Sequence, residues 1–304
     1  MSGFAESVTG WAFSTGWSLV RRLPERPAYA LFERFADASW ARRGPAVRRL
    51  ESNLHRVLGP AATEAEVRLL SRAGMRSYLR YWCDAFRLPG WSRERIVDEF
   101  QIHGEQHLVD ALALGRGAVV ALPHMGNWDH AGGWFCLRHG SLVTVAERLK
   151  PEELYEQFLA YRRALGMEVL PLTGGDPAFP TLLRRLREGK LVALLADRDL
   201  TEHGLTVELF GAPARFPAGP ATLAVQTGAA LLPVTLWHAG GRNHARIHAP
   251  LDTSVGQDKA DRIQQATQRL AEQFEDGISA HPEDWHMLQR LWVADLDPAK
   301  EPAR

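Results

Sequence analysis

Short apolar runs alternate with longer amphipathic segments from residue 118 onward, and this alternation is what most constrains the fold. Strands are predicted at 118–122, 142–146, 168–172, 191–196, 205–210, 230–237 and 244–249. Helices are predicted between them, at 129–138, 151–165, 177–188, 218–227 and 258–280. Strands that alternate with helices favour a mostly parallel central sheet with helices on both faces, which is an α/β fold. The segments 205–210 and 244–249 have short connections, so we expect them to be antiparallel additions.

The first 100 residues are predicted to be mostly helical. Thr63, followed three residues later by Glu66, is a candidate capping box for a helix that runs to about Phe86. We therefore expect an N-terminal helical region, residues 1–100, packed on an α/β core, residues 101–296. The two are expected to form a single functional unit.

Basic and aromatic residues interleave in the first 60 residues, which hold nine arginines and five acidic residues. The aromatic residues among them are Phe4, Trp11, Phe13, Trp17, Tyr29, Phe32, Phe35 and Trp40. Arginine beside aromatic rings on amphipathic helices suits an anionic membrane surface, where the rings sit at headgroup depth. The alternative is a helical cap whose aromatic rings pack on the core. Both interpretations can hold for one pair of helices, if one face of the pair is buried and another face is exposed to solvent.

Composition removes several classes of function. The formal net charge is zero, so there is no electrostatic case for binding nucleic acid. The two cysteines, Cys83 and Cys136, do not make a disulfide framework. The chain has no uninterrupted run of 18 apolar residues, so no transmembrane helix is predicted. The N-terminus also lacks the pattern of a signal peptide.

A histidine follows directly on the strand predicted at 118–122. Pro123 ends the strand, His124 comes next, and Asp129 lies five positions further on, near the start of a helix. An imidazole would thus sit at a strand exit with a carboxylate close enough to orient it, where open α/β sheets place their chemistry. The alternative is a structural histidine followed by an aspartate that only caps the helix. A metal site at this turn would lack the usual ligand signature.

Two further predicted strands end in charged residues. Glu147 follows the strand 142–146, and Asp197 with Arg198 follows the strand 191–196. Because the carboxyl ends of parallel strands meet at one edge of a sheet, these side chains are expected to converge with His124. The alternative is that charged residues cluster there because loops are wet. The sequence has neither a phosphate-binding P-loop nor a G-x-S-x-G elbow, so general acid–base chemistry by histidine and carboxylates is what remains.

These segments resemble the superfamily of lysophospholipid and lipid A acyltransferases. The matching motifs are His124-x4-Asp129, Ala146-Glu147-Arg148, Asp197-Arg198-Asp199 and Phe210-Gly211 with Pro217-x-Gly219-Pro220. The blocks LPHMGNWDHAG, TVAERLKPEELYEQF, LLADRDLTEHG and AHPEDWHMLQ are similar, more closely, to the phosphatidylinositol mannoside acyltransferases. The resemblance extends over most of the chain, to Trp292.

The resemblance implies an O-acyltransferase bound peripherally to the cytoplasmic face of the plasma membrane. It would move a long, palmitoyl-like acyl group from acyl-CoA, a co-substrate, to a mannose hydroxyl of a phosphatidylinositol mannoside, without a metal or redox cofactor. His124 would be the catalytic base, with Asp129 completing its motif. The corresponding substrate-binding positions are Glu147, Arg162, Arg198 and Gln226. Without the resemblance, Arg162 reads as one charge on a solvated helix face.

Two positions depart from the family pattern. Asp197 stands where close relatives carry a glutamate that pairs with the histidine, and Gln226 also stands where they carry glutamate. The partner of His124 is therefore either Asp129 or Asp197. Donors to an oxyanion would be Arg162, Arg198 or backbone N–H groups of the turn at Gly126. The acyl tail needs an apolar tunnel, for which the helix 218–227 and its flanking strands are candidates.

Two other functions stay open. One is a lipid A-like or lysophospholipid acyltransferase that takes its acyl group from an acyl-carrier protein. The other is a lipid-binding protein that keeps the fold without the chemistry. The intact His124/Asp129 pair favours an enzyme, and the Asp at position 197 weakly favours the lipid-binding protein.

Overall fold

The computed structural model of the chain describes residues 20–147, 152–172, 177–199 and 204–296. Arg148 of the second predicted motif lies outside the described residues, as do Phe4, Trp11, Phe13 and Trp17 of the predicted interface segment. Among the described helices, none combines the length and the apolar character that crossing a bilayer requires.

The N-terminal part of the described chain is helical, as predicted. Its elements are α1 (Glu25–Ala41), α2 (Pro45–Leu58), α3 (Glu64–Arg87), a 3-10 turn (Leu88–Gly90) and α4 (Arg93–Asp98). The predicted capping box is present at the start of α3: the Thr63 hydroxyl accepts from Glu66 N, and the Glu66 carboxylate accepts from Thr63 N. Helix α3 packs against α1 and α2 and buries Tyr81, which reaches the core.

The rest of the described chain alternates strands and helices. In order these are β1 (Phe100–His103), α5 (Glu105–Ala113), β2 (Ala118–Leu122), α6 (Trp128–His139), β3 (Leu142–Ala146), α7 (Glu152–Ala164), β4 (Met167–Pro171), α8 (Ala178–Arg187), β5 (Leu191–Leu195), β6 (Leu205–Leu209), β7 (Ala212–Phe216), α9 (Gly219–Thr227), β8 (Ala230–Ala239), β9 (Arg242–Ile247) and α10 (Lys259–Ala280).

The described strands form a seven-stranded sheet in the order β1-β9-β8-β2-β5-β3-β4. Strands β8, β2, β5, β3 and β4 are mutually parallel, while β9 runs antiparallel to β8 and β1 pairs parallel with β9. The predicted mostly parallel sheet is therefore confirmed. Strand β2 lies at its centre with all five residues buried, which explains its uninterrupted apolar sequence.

Helices cover both faces of this sheet. Helix α6 packs on the face that carries Val120 and Leu122, since residues of all these elements line one cavity. Helix α10 lies on the other face, where Gly277 approaches Thr235 of β8 so closely that a Cβ would meet the threonine side chain at 2.2 Å. Helix α9 packs between α10 and α8 on that second face.

The structure differs from the prediction at residues 205–216. The strand 205–210 does not join the sheet but pairs with β7 in a separate antiparallel hairpin, where a loop was predicted. Its two-residue turn has Phe210 at φ +50° and Gly211 at φ +68°. Such turns need two left-handed residues, and phenylalanine is an unusual choice for the first one. Strand β1 was also not predicted, because its four residues carry little periodicity.

Candidate active site

His124 and Asp197 meet at the carboxyl edge of the sheet. Their strands are adjacent and in register, with Leu122 opposite Leu195, and each side chain lies two residues beyond that pair. Because the two overhangs are equal, the side chains come together. His124 Nδ1 lies 2.5 Å from Asp197 Oδ1. Asp197 rather than Asp129 is therefore the carboxylate that contacts the imidazole.

Asp197 is fully buried and holds three hydrogen bonds. Besides the imidazole contact, its Oδ2 accepts from the backbone N–H of His124 at 2.9 Å and from Trp285 Nε1 at 2.9 Å. Burial alone would raise the pKa of Asp197, but the attraction of His124 and these hydrogen bonds hold it below its usual value. An ionised Asp197 assigns the proton of the imidazole to Nδ1, which leaves the Nε2 lone pair as a base.

Asp129 has a different partner. It lies in the first turn of α6, is 3 % exposed, and accepts from Arg162 Nε at 2.7 Å, from Arg162 Nη2 at 3.1 Å and from the Tyr81 hydroxyl at 2.9 Å. The contacts therefore do not support the expectation that Asp129 orients His124. Instead, the aspartate of the H-x4-D motif ties α6 to α7 and α3.

Arg162 does not lie on a solvated helix face, so that reading of the sequence was wrong. Its side chain is only 17 % exposed and pairs with the buried Asp129, because a carboxylate removed from water needs an opposite charge. Burial alone would lower the pKa of the Arg162 guanidinium, but the attraction of Asp129 raises it above its ordinary value. The guanidinium is thus held by Asp129.

The turn between His124 and α6 is held by Gly126 and Asn127. Gly126 has φ +57°, and a Cβ there would approach the backbone N of Trp237 to 2.9 Å, so both conformation and space require glycine. Asn127 caps α6 by accepting from His130 N at 2.9 Å. This turn fixes where His124 stands relative to the helix.

A segment near the C-terminus, residues 284–286, forms backbone hydrogen bonds with the same turn. The sequence analysis did not assign this segment to the site. The Asp284 carbonyl accepts from Gly126 N at 2.9 Å, and His286 N donates to the His124 carbonyl at 2.7 Å. Between them, Trp285 forms an isolated antiparallel bridge with Met125. The similarity of the block AHPEDWHMLQ was the one signal that pointed to this segment.

An apolar cavity of about 360 Å³ lies between the sheet and α6. This volume falls within the range of about 300–1,000 Å³ that is usual for ligand pockets. Alternate residues of the strands line it, among them Val120, Leu122, Leu191, Ala193, Leu195, Val234 and Leu236. Of the residues that line the cavity, His124 is partly exposed and Glu147 is exposed. The opening of the cavity therefore lies at the carboxyl edge of the sheet. The buried Leu142 and Leu191, which begin their strands, lie at the inner end.

The helix predicted to line an acyl tunnel does not line this cavity. Helix α9, at 219–227, packs on the opposite face of the sheet, and α6 takes the place expected for it. The reason is that α9 joins the hairpin to β8 by crossing beside α8 and α10. The expectation of flanking strands is met by β8, whose Val234 and Leu236 line the cavity.

The remaining predicted site residues divide into two groups. Glu147 and Arg198 both line the cavity, with Arg198 Nη2 3.7 Å from Glu147 Oε2. Gln226 is exposed near the end of α9 and is not among the residues that line the cavity. The structure therefore brings Glu147 and Arg198 to His124 but leaves Gln226 apart.

The named candidates for the oxyanion donor already have partners in the structure. Gly126 N–H donates to the Asp284 carbonyl, and Arg162 donates to Asp129. Arg198 likewise lies 3.7 Å from Glu147 and lines the cavity with His124. Within the described ranges, histidine, cysteine, aspartate and glutamate side chains form no group of three or more that could hold a metal ion.

Comparison with known proteins identifies the family of the chain. The family model described as bacterial lipid A biosynthesis acyltransferase matches residues 4–294. The chain is 47 % identical to a phosphatidylinositol mannoside acyltransferase of Mycolicibacterium smegmatis, over 95 % of this chain and 93 % of the relative. It is 46 % identical to a protein of the same name from Mycobacterium tuberculosis, over 98 % of this chain and 93 % of the relative. Among solved structures, the 1-acyl-sn-glycerophosphate acyltransferase PlsC of Thermotoga maritima matches with a TM-score of 0.37 and 13 % identity, covering 82 % of this chain and 95 % of that one.

Proposed function

Because the chain belongs to the bacterial lipid A biosynthesis acyltransferase family, we propose that it transfers a long, palmitoyl-like acyl group from acyl-CoA to a mannose hydroxyl of a phosphatidylinositol mannoside. The observation that carries this proposal is the His124–Asp197 pair at the edge of an apolar cavity. The names of the two relatives described above supply the class of acceptor.

The proposed chemistry begins with proton removal by His124. A sugar hydroxyl is a poor nucleophile at neutral pH, so Nε2 accepts its proton while the oxygen attacks the thioester carbonyl. Asp197 stabilises the imidazolium that forms. The tetrahedral intermediate then collapses: the C–S bond breaks, the CoA sulfur takes the proton from the imidazolium, and the acyl ester remains on the sugar. General base catalysis of this kind contributes roughly 10²–10⁴-fold.

The oxyanion of the intermediate requires a donor near the reacting carbon. We assign this role to Arg198, because it follows Asp197 directly beyond the end of β5 and lines the cavity together with His124. A positive charge at that position stabilises negative charge that develops only in the transition state. Glu147, 3.7 Å from Arg198, would hold the guanidinium in place. The scheme needs no metal or redox cofactor.

The apolar lining of the cavity supports the acyl chain of the donor as its occupant. Its walls are mostly aliphatic and aromatic side chains. It extends from His124 toward Leu142 and Leu191, the first residues of β3 and β5. Each methylene that leaves water contributes about 0.8 kcal/mol, so a deep apolar cavity favours long chains over short ones. The thioester would then lie at the opening, beside His124.

Helix α1 supports the proposed contact with the membrane. Its inner face buries Ala28, Phe32 and Ala36, while Leu31 and Phe35 are exposed beside Arg34. Phe35 is 55 % exposed. Exposed apolar groups next to arginine suit an anionic lipid surface. We therefore propose a peripheral enzyme at the cytoplasmic face of the plasma membrane, where a glycolipid acceptor and a soluble acyl-CoA meet.

Product analysis tests this function. Purified protein is incubated with anionic vesicles that contain a panel of glycolipids, and with either palmitoyl-CoA or palmitoylated acyl-carrier protein. We expect a mass increase of one palmitoyl group on phosphatidylinositol mannosides with the CoA donor. Transfer from the carrier protein alone would contradict the proposed donor. Binding of palmitoyl-CoA without transfer or hydrolysis would indicate a lipid-binding protein instead.

A further inference from the structure

Trp285 contacts the proposed catalytic pair from a distant part of the chain. It is fully buried, and its Nε1–H donates to Asp197 Oδ2 at 2.9 Å. The residues on either side of it bond to the turn that carries His124, through the Asp284 carbonyl and the His286 N–H. Three consecutive residues thus contact both members of the pair or their immediate backbone.

The hydrogen bonds on Asp197 divide between its two oxygens. Oδ2 accepts from Trp285 Nε1 and from the backbone N–H of His124, and Oδ1 faces His124 Nδ1. Rotation of the carboxylate away from the imidazole would break both bonds to Oδ2. The indole N–H therefore fixes which oxygen faces Nδ1 and stabilises the negative charge that a buried carboxylate carries.

We propose that Trp285 is a positioning residue for acyl transfer: its indole N–H keeps Asp197 ionised and turned toward Nδ1 of His124, so that Nε2 remains the base. This inference rests on the proposed role of His124 as the general base. It assigns a function in the reaction to a residue that touches neither substrate nor the reacting atoms.

Other titratable groups also face the pair. His286, the residue after Trp285, lies near His124. Burial lowers the pKa of His286 to about 3, so His286 stays neutral. Across the cavity lie the Asp129–Arg162 pair from α6 and α7, and Glu147 with Arg198 from the strand exits. The indole N–H of Trp285 donates to Asp197 rather than to any of these groups, so a change in the titration of the pair would report the indole donor.

The sign of that change follows from where the charge lies. The active form has an ionised Asp197 and a neutral His124, with the full negative charge on the carboxylate. Loss of the Trp285 N–H destabilises this form more than the protonated pair, in which the charge is shared. The apparent pKa of the pair therefore rises, and the acid limb of the pH–rate profile moves to higher pH.

Trp292 provides a matched control. It is equally buried and packs edge-to-face on Trp285 with ring centroids 6.0 Å apart. However, its Nε1–H donates to the backbone carbonyl of Leu209, at 3.2 Å, and not to a carboxylate. Replacing either tryptophan by phenylalanine removes one buried indole donor and a similar volume. Only one of the two replacements removes a donor from Asp197.

The test compares pH–rate profiles of acyl transfer for Trp285→Phe, Trp292→Phe and the wild type. For Trp285→Phe we expect kcat to fall roughly tenfold, with the acid limb about one pH unit higher and KM for acyl-CoA little changed. For Trp292→Phe we expect a lower melting temperature and an acid limb at the wild-type pH. An unmoved acid limb in Trp285→Phe, or an equal shift in both variants, would overturn the inference.

A double-mutant cycle with Asp197→Asn separates positioning from general destabilisation. If Trp285 acts through the carboxylate, Trp285→Phe should lower kcat much less in the Asp197→Asn background than in the wild type. Equal losses in both backgrounds would contradict the inference. A His124→Ala variant separates failure of the proposed function from failure of the role of Trp285. If His124→Ala is active, the proposed function fails. If it is inactive while Trp285→Phe has the wild-type profile, only the role of Trp285 fails.

Discussion

Replacing Arg162 by methionine tests what the aspartate of the H-x4-D motif does. In the wild type, the guanidinium donates to both oxygens of Asp129, at 2.7 and 3.1 Å, and the Tyr81 hydroxyl supplies a third bond at 2.9 Å. The variant leaves a 3 % exposed carboxylate with one neutral donor. Breaking a buried pair by removing one partner costs about 3–5 kcal/mol, so we expect the free energy of unfolding to fall by that amount.

Denaturant unfolding measures this loss, and a cycle with Asp129→Asn identifies its source. In the double variant no buried charge remains, so its stability should exceed that of Arg162→Met alone. Arg185→Met is the matched control, because Arg185 pairs with Glu168 and Glu188 at the surface and its loss should change the unfolding midpoint little. Our account of Asp129 would be refuted if Arg162→Met unfolded at the wild-type midpoint, or if the Asp129 and Arg162 substitutions were simply additive.

Three further predictions concern the cavity, the membrane face and pH. Ala193→Trp should fill the cavity beside β5 and lower palmitoyl transfer at least tenfold more than octanoyl transfer; equal losses in competition assays would contradict the proposed acyl site. Phe35→Glu should weaken sedimentation with anionic vesicles while hydrolysis of soluble palmitoyl-CoA continues; unchanged sedimentation would count against α1 as the membrane contact. Burial raises the pKa of Asp284 to about 6, above its ordinary value near 3.8, so its contribution to stability is full below about pH 4 and is lost as the pH rises to about 6. Asp284→Asn should remove that loss, and parallel stability curves for variant and wild type would contradict this contribution of Asp284.

Much of the α/β core was predictable, because strands buried on both faces of a parallel sheet must be almost wholly apolar. Strands β2 and β3 have the predicted bounds, while α6 differs from prediction by one residue at each end and α10 by one residue at its start. Convergence of His124 and Asp197 also followed from the strand pattern, since parallel strand ends share one edge. What the pattern could not supply was the exact register, which here makes the two overhangs equal.

The partner of His124 was not decidable from sequence. Asp129 is close to His124 along the chain, but its direction depends on how the first turn of α6 faces α7 and α3. That orientation is set by Arg162 and Tyr81, which lie 33 and 48 residues away from Asp129. Trp285 is 88 residues from Asp197, and no local periodicity encodes such a contact. Long-range side-chain pairs of this kind emerge only from tertiary packing.

The prediction of which helix lines the cavity was wrong for a related reason. Helix α9 was a sensible apolar candidate, but which face of a sheet a helix covers depends on the crossover that leads to it. Here the β6–β7 hairpin precedes α9 and directs it to the face of α8 and α10. The hairpin itself was missed because its turn has Phe210 in a left-handed conformation.

The most direct test of the central claim is single-turnover acyl transfer by His124→Ala. Palmitoyl-CoA and a phosphatidylinositol mannoside are supplied at saturating concentrations, and binding of the donor together with the circular dichroism spectrum establishes that the variant is folded. We predict a loss of at least about 10²-fold in the rate of ester formation with donor binding retained, because the general base is gone while the cavity is intact. Ester formation at near the wild-type rate would contradict the assignment of His124 as the base.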